Sequence, residues 1–281
     1  MFNMATVVAE AFAAYMADSY RSVYGERQSE NADTIRAVAQ LAVERLHSSD
    51  ALYHDAEHTI LVAQVGQSIL RGRLMVDEVT PADWLHYTVA TLLHDIGYLR
   101  GILPGDGAGR YVISETGETV EAPRGASDAF LTPWHIDRGK LFVRHRCKSI
   151  PGLDVERIAS AIELTRFPVP DETEQTENAS EAGLVRAADL IGQLSDPNHD
   201  RKYVALFAEF QETGVARQLG YSSPADIAEE YPQFFWSRVE PVIGPALAHL
   251  DRTTEGKQWV AQLYAHVFVE EHQRDRSGPE R

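Results

Sequence analysis

Apolar residues recur three and four positions apart over most of the chain, the spacing that lines one face of an α-helix. Between 34 and 46 they fall at Ile35, Val38, Leu41, Ala42 and Leu46, and a segment at 4–20 has the same period. Residues 55–70 carry Ile60, Leu61, Val62, Val65, Ile69 and Leu70. That is too broad for one face and predicts a deeply buried helix. Pro81 suits the first turn of a helix running through Trp84, Leu85, Val89 and Leu92 to His94. Gly97 suits its end. Further helices are predicted at 135–146, 153–164, 182–194, 202–213, 224–250 and 255–272, with 224–250 broken near Pro232, Pro241 and Pro245. Residues 168–176 read as an acidic loop, and the polar tail from Gln273 reads as frayed.

The stretch 101–133 departs from this rhythm. It is rich in glycine and proline, and 111–120 alternates around a Thr-Gly pair, which predicts a small β-hairpin. An insertion of this length beside candidate ligands reads either as a lid or as surface decoration. The expectation is an all-α fold, a helical bundle with a small β-hairpin insertion. It is expected to form a single domain over 1–281. The motif-bearing core is placed at about 30–217, the insertion at 101–133 and a helical C-terminal extension at 218–272.

Composition narrows the function. The net charge of −16 repels polyanions, so double-stranded nucleic acid is not an expected partner. The single Cys147 excludes an internal disulfide and does not suggest a thiolate metal site. No apolar run reaches the length of a membrane span. The N-terminal segment has no basic region before its apolar stretch, and Glu10 interrupts it. It reads as an amphipathic helix, not a signal peptide. A cytoplasmic location and no membrane partner are expected; homo-oligomerisation is left open.

Chemistry concentrates in three places. Tyr53-His54-Asp55-Ala56-Glu57-His58 puts two imidazoles one helical turn apart. His94-Asp95 ends an apolar run, and both side chains reach one ion only where the helix ends or where a bridging carboxylate turns back. Asp189 sits between Ala187-Ala188 and Leu190-Ile191. An ionised Asp in such surroundings costs several kcal/mol unless it is paired or metal-bound. Arg186 is the nearby alternative partner. The third His-Asp pair, His199-Asp200, lies in a polar turn and is not an expected ligand. Imidazole with carboxylate is the donor set of divalent ions used in hydrolysis.

His58, His94-Asp95 and Asp189 together resemble the pattern of the HD-domain superfamily, all-helical metal-dependent phosphohydrolases. Ala187-Ala188-Asp189-Leu190-Ile191-Gly192-Gln193 is similar to that family's last motif. The resemblance spans roughly 50–200. It implies His58, His94, Asp95 and Asp189 as metal ligands. Tyr53-His54-Asp55-x-x-His58 is also similar to the Tyr-His-Asn-x-x-His motif of class I cyclic-nucleotide phosphodiesterases, with Asp55 in place of Asn. That likeness implies His54 as general acid for the leaving oxygen. The segment 131–139 resembles the third-His segment of HD-GYP cyclic-dinucleotide phosphodiesterases, which points to His135 as a second-metal or phosphate contact. Those enzymes have a His-His pair where 158–165 has none. The acidic pair of the ppGpp-hydrolase branch is replaced by Tyr98-Leu99.

Basic residues follow His135 in 138–146, and Arg166 ends an apolar helix. Arg166, Arg138 and His135 are therefore candidate substrate-binding residues. The resemblance implies a divalent ion, Fe, Mn, Ni or Zn, with Mg at a second, all-oxygen position. The expected reaction is hydrolysis of a phosphate mono- or diester, nucleotide-like, with His54 and Asp95 as catalytic residues. Two alternatives stand beside it. One is a di-iron oxygenase of the same fold, for which His135 and Glu163 are the only extra ligand candidates. The other is a non-catalytic metal-binding regulatory module.

Overall fold

A computed structural model describes residues 3–167 and 175–276. The acidic loop lies mostly outside the described residues, as does the end of the tail. The fold is all-α with one small β-hairpin. Helices α1 (Met4–Tyr24) and α2 (Ser29–Leu46) pack against each other and over the centre of the molecule. Helix α3 (Ala56–Arg73) is the hub, touching α2, α4 (Pro81–Leu93), α7 (Glu181–Leu194), α11 (Glu240–Leu250) and α12 (Thr254–Arg276). Its buried positions include Val62, Ala63, Val65, Gly66, Ile69 and Leu70, which accounts for the broad apolar surface of its sequence.

Local chemistry sets the helix starts. Asp55 caps α3, its carboxylate accepting the His58 N–H at 2.9 Å. Asn does the same at a helix N-terminus, so an acid in place of an amide leaves this turn intact. Thr80 and Asp83 form a capping box at α4, followed by Pro81. Asp154 caps α6 (Val155–Glu163) and Ser180 caps α7.

The region 224–250 is not broken as expected. Helix α10 (Pro224–Phe234) runs through a π-helical turn, Phe235–Val239, straight into α11. The wider turn falls immediately before Glu240-Pro241, where the next backbone donor is missing. Helices α8 (His199–Thr213) and α9 (Val215–Leu219) join α10 in a small satellite cluster of Tyr203, Phe207, Ala216 and Ile227. One larger buried cluster runs from α1 to α12. No helix among the described residues is long and apolar enough to cross a membrane.

The hairpin pairs β1 (Arg110–Val112) with β2 (Thr119–Glu121), Tyr111 opposite Val120. Gly117 takes φ +81 in its turn, a conformation favouring glycine. The insertion closes with a 3₁₀ stretch, Asp128–Trp134, that leads into α5 (His135–Arg146).

Candidate metal centre

Three donors, His58, His94 and Asp95, converge, and Asp189 approaches the two imidazoles. His58 lies in the first turn of α3, Asp189 on α7, and His94 caps the end of α4. The chain turns at Asp95 into a 3₁₀ turn, Ile96–Tyr98. This change of direction is what lets adjacent His94 and Asp95 aim at one point. His58 Nε2 lies 3.2 Å from His94 Nε2, and each lies 3.2 Å from Asp95 Oδ2. Asp189 Oδ1 approaches the same two nitrogens at 3.3 and 3.6 Å.

Donors about 2.1 Å from one ion stand about 3.0 Å apart at adjacent octahedral corners and about 3.4 Å apart at tetrahedral ones. The separations among His58, His94 and Asp95 and the 3.3 Å from Asp189 to His58 fall in that range, while the 3.6 Å from Asp189 to His94 is longer. His58, His94 and Asp95 could hold a metal ion. All three are buried, and Asp95 Oδ2 has no donor aligned on it. A buried carboxylate oxygen without a donor is costly, and a cation would remove that cost. His94 Nδ1 is hydrogen-bonded to the Thr91 carbonyl at 2.8 Å, which fixes the tautomer that frees Nε2.

The electrostatics agree. Burial alone would lower the His58 pKa, but Asp189 and Asp95 outweigh it and push it up to about 10. His94 is likewise raised, burial opposing and Asp95 prevailing. Burial would raise Asp95, yet His94 and His58 hold it well below the usual carboxylate range. The carboxylates thus draw positive charge into the cluster. Arg186 does not supply it, because its Nη2 donates to Asn178 Oδ1.

His54 stands beside the donors. Its Nδ1 is 2.7 Å from Glu209 Oε2 on α8, and Glu209 Oε1 accepts the Tyr53 and His54 N–H groups at 2.7 and 3.3 Å. Burial opposes protonation of His54, but the Glu209 charge wins and raises its pKa. Sequence reasoning missed Glu209. Its one signal is an acid two residues after buried Phe207 and just before Phe210. His54 Nε2 faces the Tyr98 hydroxyl at 3.4 Å, and the two rings stack at 4.4 Å. His135 stacks on Tyr98 at 4.3 Å with its Nδ1 on the Thr132 carbonyl. Burial lowers its pKa.

Several expectations change. Arg138 is fully buried, its Nε and Nη groups bound to the Gly97, Leu99 and Val112 carbonyls and to Asp106. Every face of the guanidinium is used, so Arg138 pins the insertion to the core and is not a substrate contact. The insertion is thereby tied to the core at Asp106 and Val112. Arg166 and Lys140 are engaged with Glu163 and Asp137, a partly exposed ion-pair group. Glu163 is thereby taken up outside the donor cluster. Gly97 is not a left-handed helix end. A Cβ there would lie 1.8 Å from the His135 carbonyl oxygen, so glycine lets the turn bearing Asp95 touch α5. His199, expected in a polar turn, instead opens α8 and is buried against Tyr203, Tyr231 and His266.

No curated protein matches the sequence. The family model described as Npun_R2479-like matches residues 2–273, and the chain belongs to that family.

Proposed function

We propose that this protein is a metal-dependent phosphohydrolase acting on a phosphate ester, nucleotide-like in character, with an HD-type centre. One observation carries the reading. The His58, His94 and Asp95 donors meet at single-ion spacing, Asp189 approaches the two imidazoles, and a carboxylate-held imidazole, His54, stands next to them. The motif likeness to the HD-domain superfamily supports it. The nitrogen and oxygen donors suit iron, manganese, nickel or zinc, and magnesium suits only an all-oxygen second position. Such an ion, when bound, supplies Lewis acidity at a phosphoryl oxygen and makes water a better nucleophile near neutral pH.

The protein's own groups supply the proton chemistry. Glu209 holds His54 by Nδ1 and leaves Nε2 facing the Tyr98 hydroxyl. As water adds to phosphorus and the ester P–O bond breaks, the departing oxygen takes the proton from His54 Nε2, and the proton given up by the water returns through solvent to reprotonate His54. Asp95 orients the incoming water through its carboxylate. The stacked Tyr98 and His135 rings keep His54 from turning away.

The test is metal content by elemental analysis with hydrolysis of a panel of phosphate esters, beside His94→Ala/Asp95→Ala and His54→Ala. Metal lost in the double variant, and activity lost but metal kept in His54→Ala, is the expected result. Wild type without metal after reconstitution, or loaded with metal and inert on every ester, refutes the proposal.

A further inference from the structure

Helix α1 packs chiefly on α2 at the outside of the bundle. An outer helix ordinarily turns a charged face to water. Here Met4, Val8, Ala11 and Tyr15, with Val7 beside them, line the face opposite buried Ala9, Ala13 and Met16. Met4, Val7, Val8 and Tyr15 are between 38% and 68% exposed, and from 4 to 15 the one charged residue is Glu10. Exposed Leu41 lies as far along α2 from the connecting turn as Phe12 lies back along α1, so it widens the apolar surface sideways. A helix apolar on all sides is one that is buried on all sides.

Spacing and charge say what covers it. Met4, Val8, Ala11 and Tyr15 are separated by four, three and four residues, the seam along which one helix packs on another. Helices that lie on membranes carry Lys and Arg beside the apolar stripe. The one basic residue of α1 is Arg21, in its last turn and already paired with Asp18 and Asp33. In a chain of net charge −16 most of the surface repels another copy, and this stripe does not.

We propose that α1 pairs antiparallel with α1 of a second copy, the two-fold axis passing between Val8 and Ala11. Met4 then faces the partner's Tyr15, and Val8 faces the partner's Ala11. The small central layers let the helices approach closely. Asp18 falls just beyond the first turn of the opposing helix, which has no acid of its own and presents unpaired N–H groups. The face from Met4 to Asp18 is about 22 Å long and, with α2 alongside, about 20 Å wide. Two copies bury about 900 Å², close to the least a specific interface needs, so the dimer is weak, with Kd on the order of 10 µM.

Sedimentation of the full chain from about 1 to 500 µM spans that constant. A reversible dimer is expected, strengthened by salt as charge repulsion is screened. Val8→Glu and Tyr15→Glu should each weaken it at least tenfold while thermal melts of the monomer stay unchanged, because both positions are exposed. Adding Met4→Lys to Tyr15→Glu should restore association, since each Lys meets the opposing Glu only in the antiparallel register. A monomer at every concentration, a dimer indifferent to Val8→Glu, or no rescue by Met4→Lys overturns the proposal. So does flotation of wild type with phosphatidylcholine vesicles that Val8→Glu abolishes, which would assign the stripe to lipid.

Discussion

Replacing Gly192 by alanine tests how closely α3 and α7 must approach to make the centre. A Cβ at Gly192 would stand 2.9 Å from Val62 Cα and 3.0 Å from its Cγ2 and N. Carbon pairs settle at about 3.5 Å or more, so the helices must part by about 0.6 Å. His58 lies one turn before Val62, and Asp189 nearly one turn before Gly192, so the widening passes directly to that pair. Their 3.3 Å separation would grow towards about 3.9 Å. Metal sites tolerate about 0.2 Å in ligand distance, so Asp189 is expected to fall away. Two opposing terms act on stability. Overpacking costs about 1–3 kcal/mol, and Ala in a helix interior regains about 1 kcal/mol over Gly. The variant should therefore fold, be about 0–2 kcal/mol less stable without metal, and bind metal about 10–100-fold more weakly. Urea melts of chelator-treated protein and competition against a chromophoric chelator measure the two effects. Unchanged metal affinity together with raised stability would show that helix propensity alone matters at this position, and the spacing argument would fail.

Glu209→Gln should keep the metal and lower turnover by about 10²-fold, because the amide no longer stabilises protonated His54; kcat and elemental analysis on the same sample check this. Arg138→Met leaves buried Asp106 without its partner and should cost about 3–5 kcal/mol in urea melts, with much of the loss recovered in Arg138→Met/Asp106→Leu. His199 is buried, and its pKa is lowered to about 4 by desolvation first and the neighbouring His266 second. Its unfolded pKa is about 6.5, so the unfolded chain takes up the proton first and stability falls as pH drops from about 6.5 to about 4, by about 3 kcal/mol in total. Urea melts across that window should show the slope, and His199→Phe should flatten it; equal slopes in both would dismiss His199 as its source.

What could be read from the sequence follows from which forces act locally. Helices α3, α4 and α7 announce themselves because burial imposes a period on neighbouring residues. The hairpin was legible from alternation around Thr116-Gly117. His58, His94 and Asp95 stood out as polar groups in apolar runs, and they do meet in space. Glu209 was invisible because its meaning is a contact made 155 residues away, with His54. Arg138 was misread for the same reason. A cation that binds a ligand and one that staples a loop look alike until Asp106 and the three carbonyls are in place. Gly97 was given a turn's explanation, whereas its reason is the backbone of α5 passing alongside.

The Arg138–Asp106 staple also bears on timescale. The insertion it secures runs on to Thr132, whose carbonyl holds His135 beside Tyr98. Flaps that open and shut impose a microsecond-to-millisecond step, and product release then often sets the turnover rate. A segment tied at Asp106 and Val112 by a fully buried guanidinium is expected to lack such a step where it is tied. On the hydrolase reading, solvent viscosity would then affect turnover only through diffusion of substrate and product.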